Sequence, residues 1–319
     1  MIQLLQATHG FVALLLRCGL YSALVLAFTL FAQDSPDGSA ARSSSAMPPR
    51  ALFGPNSPEW SEPLAPYHVI GNVYYVGTKG LACFLITTPQ GHILINSGLK
   101  DTVPLIQASV EKLGFKFSDI KILLISHGHW DHCAGSFDLI KRTGAKYMVM
   151  DGDVAEVEAG GKGDFHYAES PGILYPPATV DRVLHDGDEV KLGNAKLISR
   201  KTPGHTKGCT TWTFKVEDGG KMYDVVIIGS VNVNGGYKLV ANPTYPQIAQ
   251  DYETTFHVLK SLPCDVFLGA HGDYYGMNRK LARMRDGGPN PFIDPEGYQH
   301  YVAQREQAFR TELKRQQLP

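Results

Sequence analysis

This 319-residue chain has almost no net charge and few cysteines. Its 30 Lys and Arg residues nearly balance 31 Asp and Glu residues, and the formal net charge of −1 does not favour a nucleic-acid partner. Five cysteines are too few for a fold held together by disulfides, and none forms a C-x-x-C pair. We therefore expect mostly buried free thiols at Cys83, Cys133, Cys209 and Cys264.

A long hydrophobic run lies near the N-terminus, where Arg17 precedes CGLYSALVLAFTLFA and the polar QDSPDGS follows. A basic residue, an apolar core of about 15 residues and a small residue at the break are typical of a secretory signal. We predict a signal peptide over residues 1–32 and export to the periplasm, with an uncleaved membrane anchor as the alternative. Residues 33–61 are predicted as a flexible linker that precedes a catalytic domain over residues 62–319.

From residue 62 onwards, strand-like runs alternate with helical patterns. Runs such as ACFLITTPQGHILINSG and IKILLISH are rich in β-branched residues, whereas TVPLIQASVEKLG has the spacing of an amphipathic helix. Strands followed by a helix occur twice, which predicts an α/β domain of two sheets packed between helices. Residues 158–180 are rich in Gly and Pro and too long for a plain connection, so they form a candidate functional loop.

Six side chains with metal-ligand chemistry follow predicted strands. They are His127, His129, Asp131 and His132 in SHGHWDHCAG, His205 in TPGHTKG and His271 in FLGAH. Open α/β sheets bind ligands at the carboxyl ends of their strands, so we expect these side chains to meet at one edge. Neutral imidazole and carboxylate are common zinc ligands. Three imidazoles can form one open site, and an aspartate with two imidazoles can form a second.

The segments HGHWDH and PGHTKG resemble the H-x-H-x-D-H and G-H-T-x-G motifs of the metallo-β-lactamase superfamily. The resemblance runs from about Tyr67 to the C-terminus and implies an αββα sandwich with two mixed sheets. At the position that ends the strand VVIIGS in this chain, glyoxalases, lactonases and nucleases of the superfamily usually carry a metal-bridging aspartate. Two β-lactamase subclasses carry a cysteine ligand there. This chain has Ser230. It therefore resembles the third subclass of class B β-lactamases, as GCTTWTF, NGGYKLV and CDVFLGAH also do.

The resemblance implies a hydrolase with two zinc ions per chain. His127, His129 and His205 would hold the first ion, and Asp131, His132 and His271 would hold the second. A metal-activated hydroxide would then open the lactam amide of penicillins, cephalosporins and carbapenems and so confer antibiotic resistance. Asp131, which would orient the nucleophile, and Ser230 are the predicted catalytic residues.

Five residues are predicted to contact substrate. Ser230 would hydrogen-bond a metal-linked water or the substrate carboxylate, with a plain strand-end hydroxyl as the alternative. Asn232 and Asn234 would donate to the carboxylate or the lactam oxygen, although loop asparagines also form turns. His166 and Tyr167, in the long loop, would form a wall over a ring substituent.

We expect Trp130 and Cys133 to pack inside the protein. We also expect a monomer, because no feature requires a second chain.

Other functions remain open at the level of the sequence. The alternatives to a β-lactamase are another hydrolase of the superfamily, such as a lactonase or thioester hydrolase, or a non-catalytic zinc-binding envelope protein.

Overall fold

The computed structural model describes residues 57–318, so the predicted signal peptide lies outside the described residues. The packed fold begins within the predicted linker, because Pro58–Trp60 form a 3-10 turn and the Trp60 side chain is buried. Among the helices of residues 57–318, none is long and apolar enough to cross a membrane.

The first sheet has seven strands in sequential order and is antiparallel on one side and parallel on the other. Its strands are β1 (Tyr67–Ile70), β2 (Val73–Tyr75), β3 (Phe84–Thr88), β4 (Gly91–Ile95), β5 (Ile120–Leu124), β6 (Lys146–Met150) and β7 (Arg182–Leu184). The parallel pairs run from β4 to β7. Helices in this half are α1 (Val103–Lys112), α2 (Trp130–Cys133), α3 (Ser136–Thr143) and α4 (Val154–Glu158).

The second sheet has five strands in the order β12-β11-β10-β9-β8, of which only β11 and β12 run parallel. Its strands are β8 (Glu189–Leu192), β9 (Ala195–Lys201), β10 (Thr210–Asp218), β11 (Lys221–Ile228) and β12 (Val266–Gly269). The helices of this half are α5 (Ile248–Ser261), α6 (Met277–Arg285) and α7 (Pro295–Gln317).

Side-chain alternation explains why the first sheet is buried on both faces. Successive residues of a strand point to opposite sides. In β5, Ile122 and Leu124 join the core shared with the second sheet, whereas Leu123 joins a separate core with Val103 of α1 and Leu139 of α3. Both faces therefore need apolar residues, as continuous runs such as IKILL supply.

The second sheet is covered by the C-terminal helices. Tyr252 of α5 stacks on Phe309 of α7 with ring centroids 5.1 Å apart, and both side chains belong to the core that includes β11. The layers are therefore helix, sheet, sheet and helix, which confirms the predicted αββα fold. The expected free thiols are also confirmed: Cys83, Cys133 and Cys209 are buried, and Cys264 is half-buried.

Trp212 of β10 connects the two sheets next to the histidine-rich segment. Its Nε1–H donates to the carbonyl oxygen of Ile125 at 3.1 Å, two residues before His127. We expect Trp212→Phe to lower the free energy of unfolding by about 2–4 kcal/mol, because it opens a cavity and leaves a buried carbonyl unpaired. Urea denaturation followed by circular dichroism measures this change.

Phe137→Ala is the control, because that side chain of α3 is 48% exposed. Its substitution should change the free energy of unfolding by less than about 0.5 kcal/mol. Equal shifts for the two variants would show that Trp212 does not join the sheets energetically.

Candidate metal centre

The predicted ligands meet at one edge of the sandwich because each follows a strand that ends there. His127, His129, Asp131 and His132 follow β5, and the last two already belong to the short helix α2. His205 lies in the connection between β9 and β10, and His271 comes directly after β12. An isolated antiparallel bridge between Leu81 and His271 attaches this last ligand to the first sheet.

The imidazoles of His127, His129 and His205 form the first ligand group. Their ligand atoms lie within 4.8 Å of one another, and all three side chains are buried. His205 Nδ1 lies 2.8 Å from the carbonyl oxygen of Asn232, and His129 Nε2 lies 3.2 Å from Asp164 Oδ2. Since a carbonyl and a carboxylate can only accept, these nitrogens carry the protons. His205 Nε2 and His129 Nδ1 therefore keep their lone pairs for a cation.

Asp131, His132 and His271 form the second ligand group. Asp131 Oδ2 lies 3.1 Å from His132 Nε2 and 3.3 Å from His271 Nε2. The two Nε2 atoms are 3.1 Å apart, so the three atoms form a nearly equilateral triangle. The two groups adjoin, because the rings of His127 and His132 have centroids 4.3 Å apart.

Burial and the neighbouring charges set the protonation of these groups. Burial, together with the adjacent imidazoles, holds the pKa of His127 and His205 well below the usual histidine range. Burial raises the pKa of Asp131, but His132 and His271 outweigh it and hold this pKa well below the usual range. These shifts favour neutral imidazoles at His127 and His205 and an ionised carboxylate at Asp131, which are the protonation states that bind metal.

The donor set fits zinc. Ligands about 2.05 Å from a tetrahedral ion lie ~3.3 Å from one another, which matches the 3.1–3.3 Å edges of the second group. A cation would be a shared partner for this buried carboxylate oxygen and the two imidazole nitrogens.

The structure places Ser230 and the two predicted asparagines between the ligand loops. Ser230 directly follows Gly229 at the end of β11, and its Oγ lies 3.1 Å from Tyr274 Oη. The side-chain amide of Asn232 is hydrogen-bonded to Tyr274 and Arg305, while its backbone carbonyl oxygen accepts from His205. Asn234 donates to Tyr167 Oη at 3.1 Å.

The two predicted wall residues lie differently. Tyr167 is half-buried and packs edge-to-face on His129 and Trp130, with centroids 5.3 and 5.5 Å apart. His166 is exposed and contacts Tyr237 rather than a ligand imidazole, with centroids 4.9 Å apart. Tyr167 therefore borders the metal centre more closely.

Trp130 and Cys133 pack as expected. Trp130 is half-buried against the core around α1 and α3 and contacts Trp60, with ring centroids 6.3 Å apart. Cys133 is buried, and its Sγ lies 3.0 Å from the carbonyl oxygen of Gly128. The thiol therefore points into the protein and away from the ligand group.

Sequence reasoning missed two carboxylates that support the ligand loops. Asp164 orients His129, and it lies within the loop 158–180 that the sequence singled out as a candidate functional loop. Asp153 accepts from Gly128 N at 2.9 Å, Thr206 Oγ1 at 2.7 Å and Gly208 N at 2.6 Å, and so joins the first histidine loop to the His205 loop. No local pattern distinguishes either aspartate from a surface residue.

Glu156 explains why glycine separates His127 and His129. A Cβ atom at Gly128 would lie 2.7 Å from Glu156 Cδ, which is closer than real Cβ atoms approach. Burial, with Asp153 and Asp164 nearby, raises the pKa of Glu156 well above its usual range and so favours its protonated form. A larger residue at position 128 would have to displace it.

Fold and site together define a metal-dependent hydrolase with ligands supplied by both halves of an αββα sandwich. The sequence model of the metallo-beta-lactamase superfamily matches residues 76–271. The chain belongs to the metallo-β-lactamase superfamily and is a hydrolase.

Solved structures of similar proteins agree with this assignment. The native FEZ-1 metallo-beta-lactamase of Legionella gormanii is 54% identical, with 81% of this chain and 99% of that chain covered and a TM-score of 0.80. The subclass B3 enzyme BJP-1 of Bradyrhizobium japonicum is 38% identical, with 81% and 97% covered and a TM-score of 0.77. The structural neighbours therefore include subclass B3 enzymes, as the sequence resemblance implied.

A more distant relative was found by sequence. A curated hydroxyacylglutathione hydrolase of Rhodopseudomonas palustris is 27% identical over 62% of this chain and 65% of its own length.

We expect Asp164→Asn to weaken zinc binding by about 10–100-fold, the usual effect of losing a partner that orients a metal-bound histidine. The amide can present an N–H to His129 Nε2 and so favour the wrong tautomer. Competition with a chromophoric chelator measures the zinc Kd.

Asp181→Asn is the matched control. Asp181 accepts a hydrogen bond from the backbone N–H of Tyr147 at 2.9 Å and pairs with Lys146 instead of a predicted metal ligand. Its zinc Kd should equal that of the wild type. An unchanged Kd in Asp164→Asn would show that Asp164 does not orient His129.

Proposed function

We propose that the protein is a zinc-dependent β-lactamase that binds two zinc ions and hydrolyses the lactam amide of penicillins, cephalosporins and carbapenems. The observation that carries this proposal is the complete set of six buried or half-buried donors in two adjoining groups. Ser230 stands at the end of β11, where superfamily hydrolases of other classes are expected to carry aspartate or cysteine. Similarity to FEZ-1 and BJP-1 supports the same choice.

In this proposal His127, His129 and His205 hold one ion, and Asp131, His132 and His271 hold the other. When bound, such a pair supplies a Lewis acid for the lactam carbonyl and lowers the pKa of water so that a nucleophile is present at neutral pH. No protein nucleophile is then required.

Asp131 would position the attacking water. Its Oδ2 faces the two imidazoles of the second group, which leaves Oδ1 to accept a hydrogen bond from that water. Because the pKa of Asp131 is held well below its usual range, the carboxylate is ionised and can accept. Asn234 and Tyr167, which are hydrogen-bonded to each other, would border the bound substrate.

Export to the periplasm and action as a monomer complete the proposal. The N-terminal apolar run after Arg17 supports export, and hydrolysis there would protect the cell from β-lactams and confer resistance. Cell fractionation with an antibody against the protein, and light scattering of the purified chain, would test these two points.

A thioester hydrolase or lactonase is the second candidate. It is favoured by the similarity to a hydroxyacylglutathione hydrolase that is 27% identical over 62% of this chain. Assay of the same preparation on a lactam, a lactone and a glutathione thioester separates the two candidates.

We expect the purified zinc-loaded protein to hydrolyse imipenem, because the site offers two metal positions and therefore requires no nucleophile from a protein side chain. A metal chelator should reduce turnover by about 100-fold or more, and added zinc should restore it. The decrease of the lactam absorbance measures the rate. Turnover that persists in metal-free protein would contradict the zinc mechanism. Turnover of a thioester but no lactam would favour the second candidate.

Each ligand group should hold its own ion. We expect His205→Ala and His271→Ala each to reduce bound zinc from about two ions per chain to about one, because each removes one ligand from one group only. Native mass spectrometry counts the ions. His257→Ala, which changes an exposed residue of α5, should keep both ions. Loss of both ions in either ligand variant would contradict two separate groups.

A further inference from the structure

The Ser230 hydroxyl lies at the end of a chain of hydrogen bonds that begins on α7. Arg305 Nη1 lies 3.3 Å from Asn232 Oδ1, and Asn232 Nδ2 lies 3.0 Å from Tyr274 Oη. Tyr274 Oη lies 3.1 Å from Ser230 Oγ. Each contact within this chain joins two side chains from different parts of the fold.

Arg305 determines the direction of the first two bonds. A guanidinium group has donors and no acceptor, so the atom of Asn232 that faces it must be the carbonyl oxygen Oδ1. The amide nitrogen Nδ2 must then face Tyr274, where it can only donate. The orientation of the Asn232 amide therefore follows from its partner.

Tyr274 connects Asn232 to Ser230. Its oxygen accepts from Asn232 Nδ2, which leaves its proton free to donate to Ser230 Oγ. The ring cannot easily turn away, because it stacks on Tyr301 at 5.4 Å and packs on His271 at 5.0 Å.

Ser230 Oγ accepts a second bond from the backbone N–H of Asn232 at 3.4 Å. When Tyr274 and this backbone N–H both donate to Ser230 Oγ, the Ser230 O–H is left to donate to a group outside this chain. The location favours the metal centre, because Asn232 also binds His205 through its carbonyl oxygen and Tyr274 packs on His271.

We propose that Arg305, Asn232 and Tyr274 are positioning residues that present the Ser230 hydroxyl as a hydrogen-bond donor to the carboxylate of the substrate. This inference rests on the proposed function. It assigns the Asn232 side chain to positioning, whereas the sequence pattern alone favours direct contact with substrate. Tyr274 acquires a role that no sequence motif indicates.

A double-mutant cycle on Tyr274→Phe and Ser230→Ala tests the proposal, because it asks whether one residue acts through the other. Each single variant should raise the KM for benzylpenicillin by about tenfold, the effect of losing one hydrogen bond to a charged group, with kcat within about twofold. The double variant should have the same KM as Ser230→Ala. For the methyl ester of benzylpenicillin, which lacks the carboxylate, the KM of all three variants should equal that of the wild type.

Tyr301→Phe is the matched control, because its ring stacks on Tyr274 but its hydroxyl has no hydrogen-bond partner in residues 57–318. It should keep the wild-type KM, and all variants should keep the wild-type zinc content and urea midpoint.

Three results would overturn the proposal. They are an unchanged KM in Tyr274→Phe, an equal KM increase for acid and ester, and a Tyr274→Phe effect that is as large in the Ser230→Ala background as in the wild type. Failure of the proposed function is recognised separately, because the wild type would then turn over no lactam. The same cycle would in that case be run on a thioester with and without a free carboxylate.

Discussion

Two imidazoles of the first ligand group each use one ring nitrogen for a hydrogen bond to an acceptor of the protein. Asp164 binds His129, and the Asn232 carbonyl oxygen binds His205. These bonds select the tautomer and leave the other ring nitrogen with a lone pair that is available to a metal ion. Without them a buried imidazole could present its N–H to the centre, and the group would bind a cation less tightly. The rest of the fold places Asp164 next to His129 and the Asn232 carbonyl oxygen next to His205.

The acceptors come from segments far from the histidines that they orient. Asp164 belongs to the long loop after α4, and Asp153 joins the loop of His127 and His129 to the loop of His205 by three hydrogen bonds. Trp212 adds a bond between the sheets immediately before His127. The centre is therefore held by both halves of the sandwich, and it depends on how the two sheets pack.

The same packing gives different hydrogen-bond partners to the two asparagines beside the ligand groups. Asn234 and Tyr167 are bonded to each other at the border of the centre, whereas Asn232 is bonded on both ends of its amide. Two asparagines in one short loop therefore have different chemistry available. Their difference arises from Arg305 and Tyr274, which approach from α7 and from the segment after β12.

The sequence by itself determined the fold class and the ligand set. Apolar runs of strand length predict the two-faced sheet, and crowding of His127, His129, Asp131 and His132 after such a run has few uses other than metal binding. Tertiary structure alone decided which carboxylates orient the imidazoles, the close approach of Glu156 to Gly128, and the hydrogen-bond partners of Ser230. The physical reason is that the spacing of ligands after a strand is a local property, which the sequence shows directly. Hydrogen-bond partners 35 to 73 residues apart, such as His129 with Asp164 or Asn232 with Arg305, meet only when the loops and helices pack.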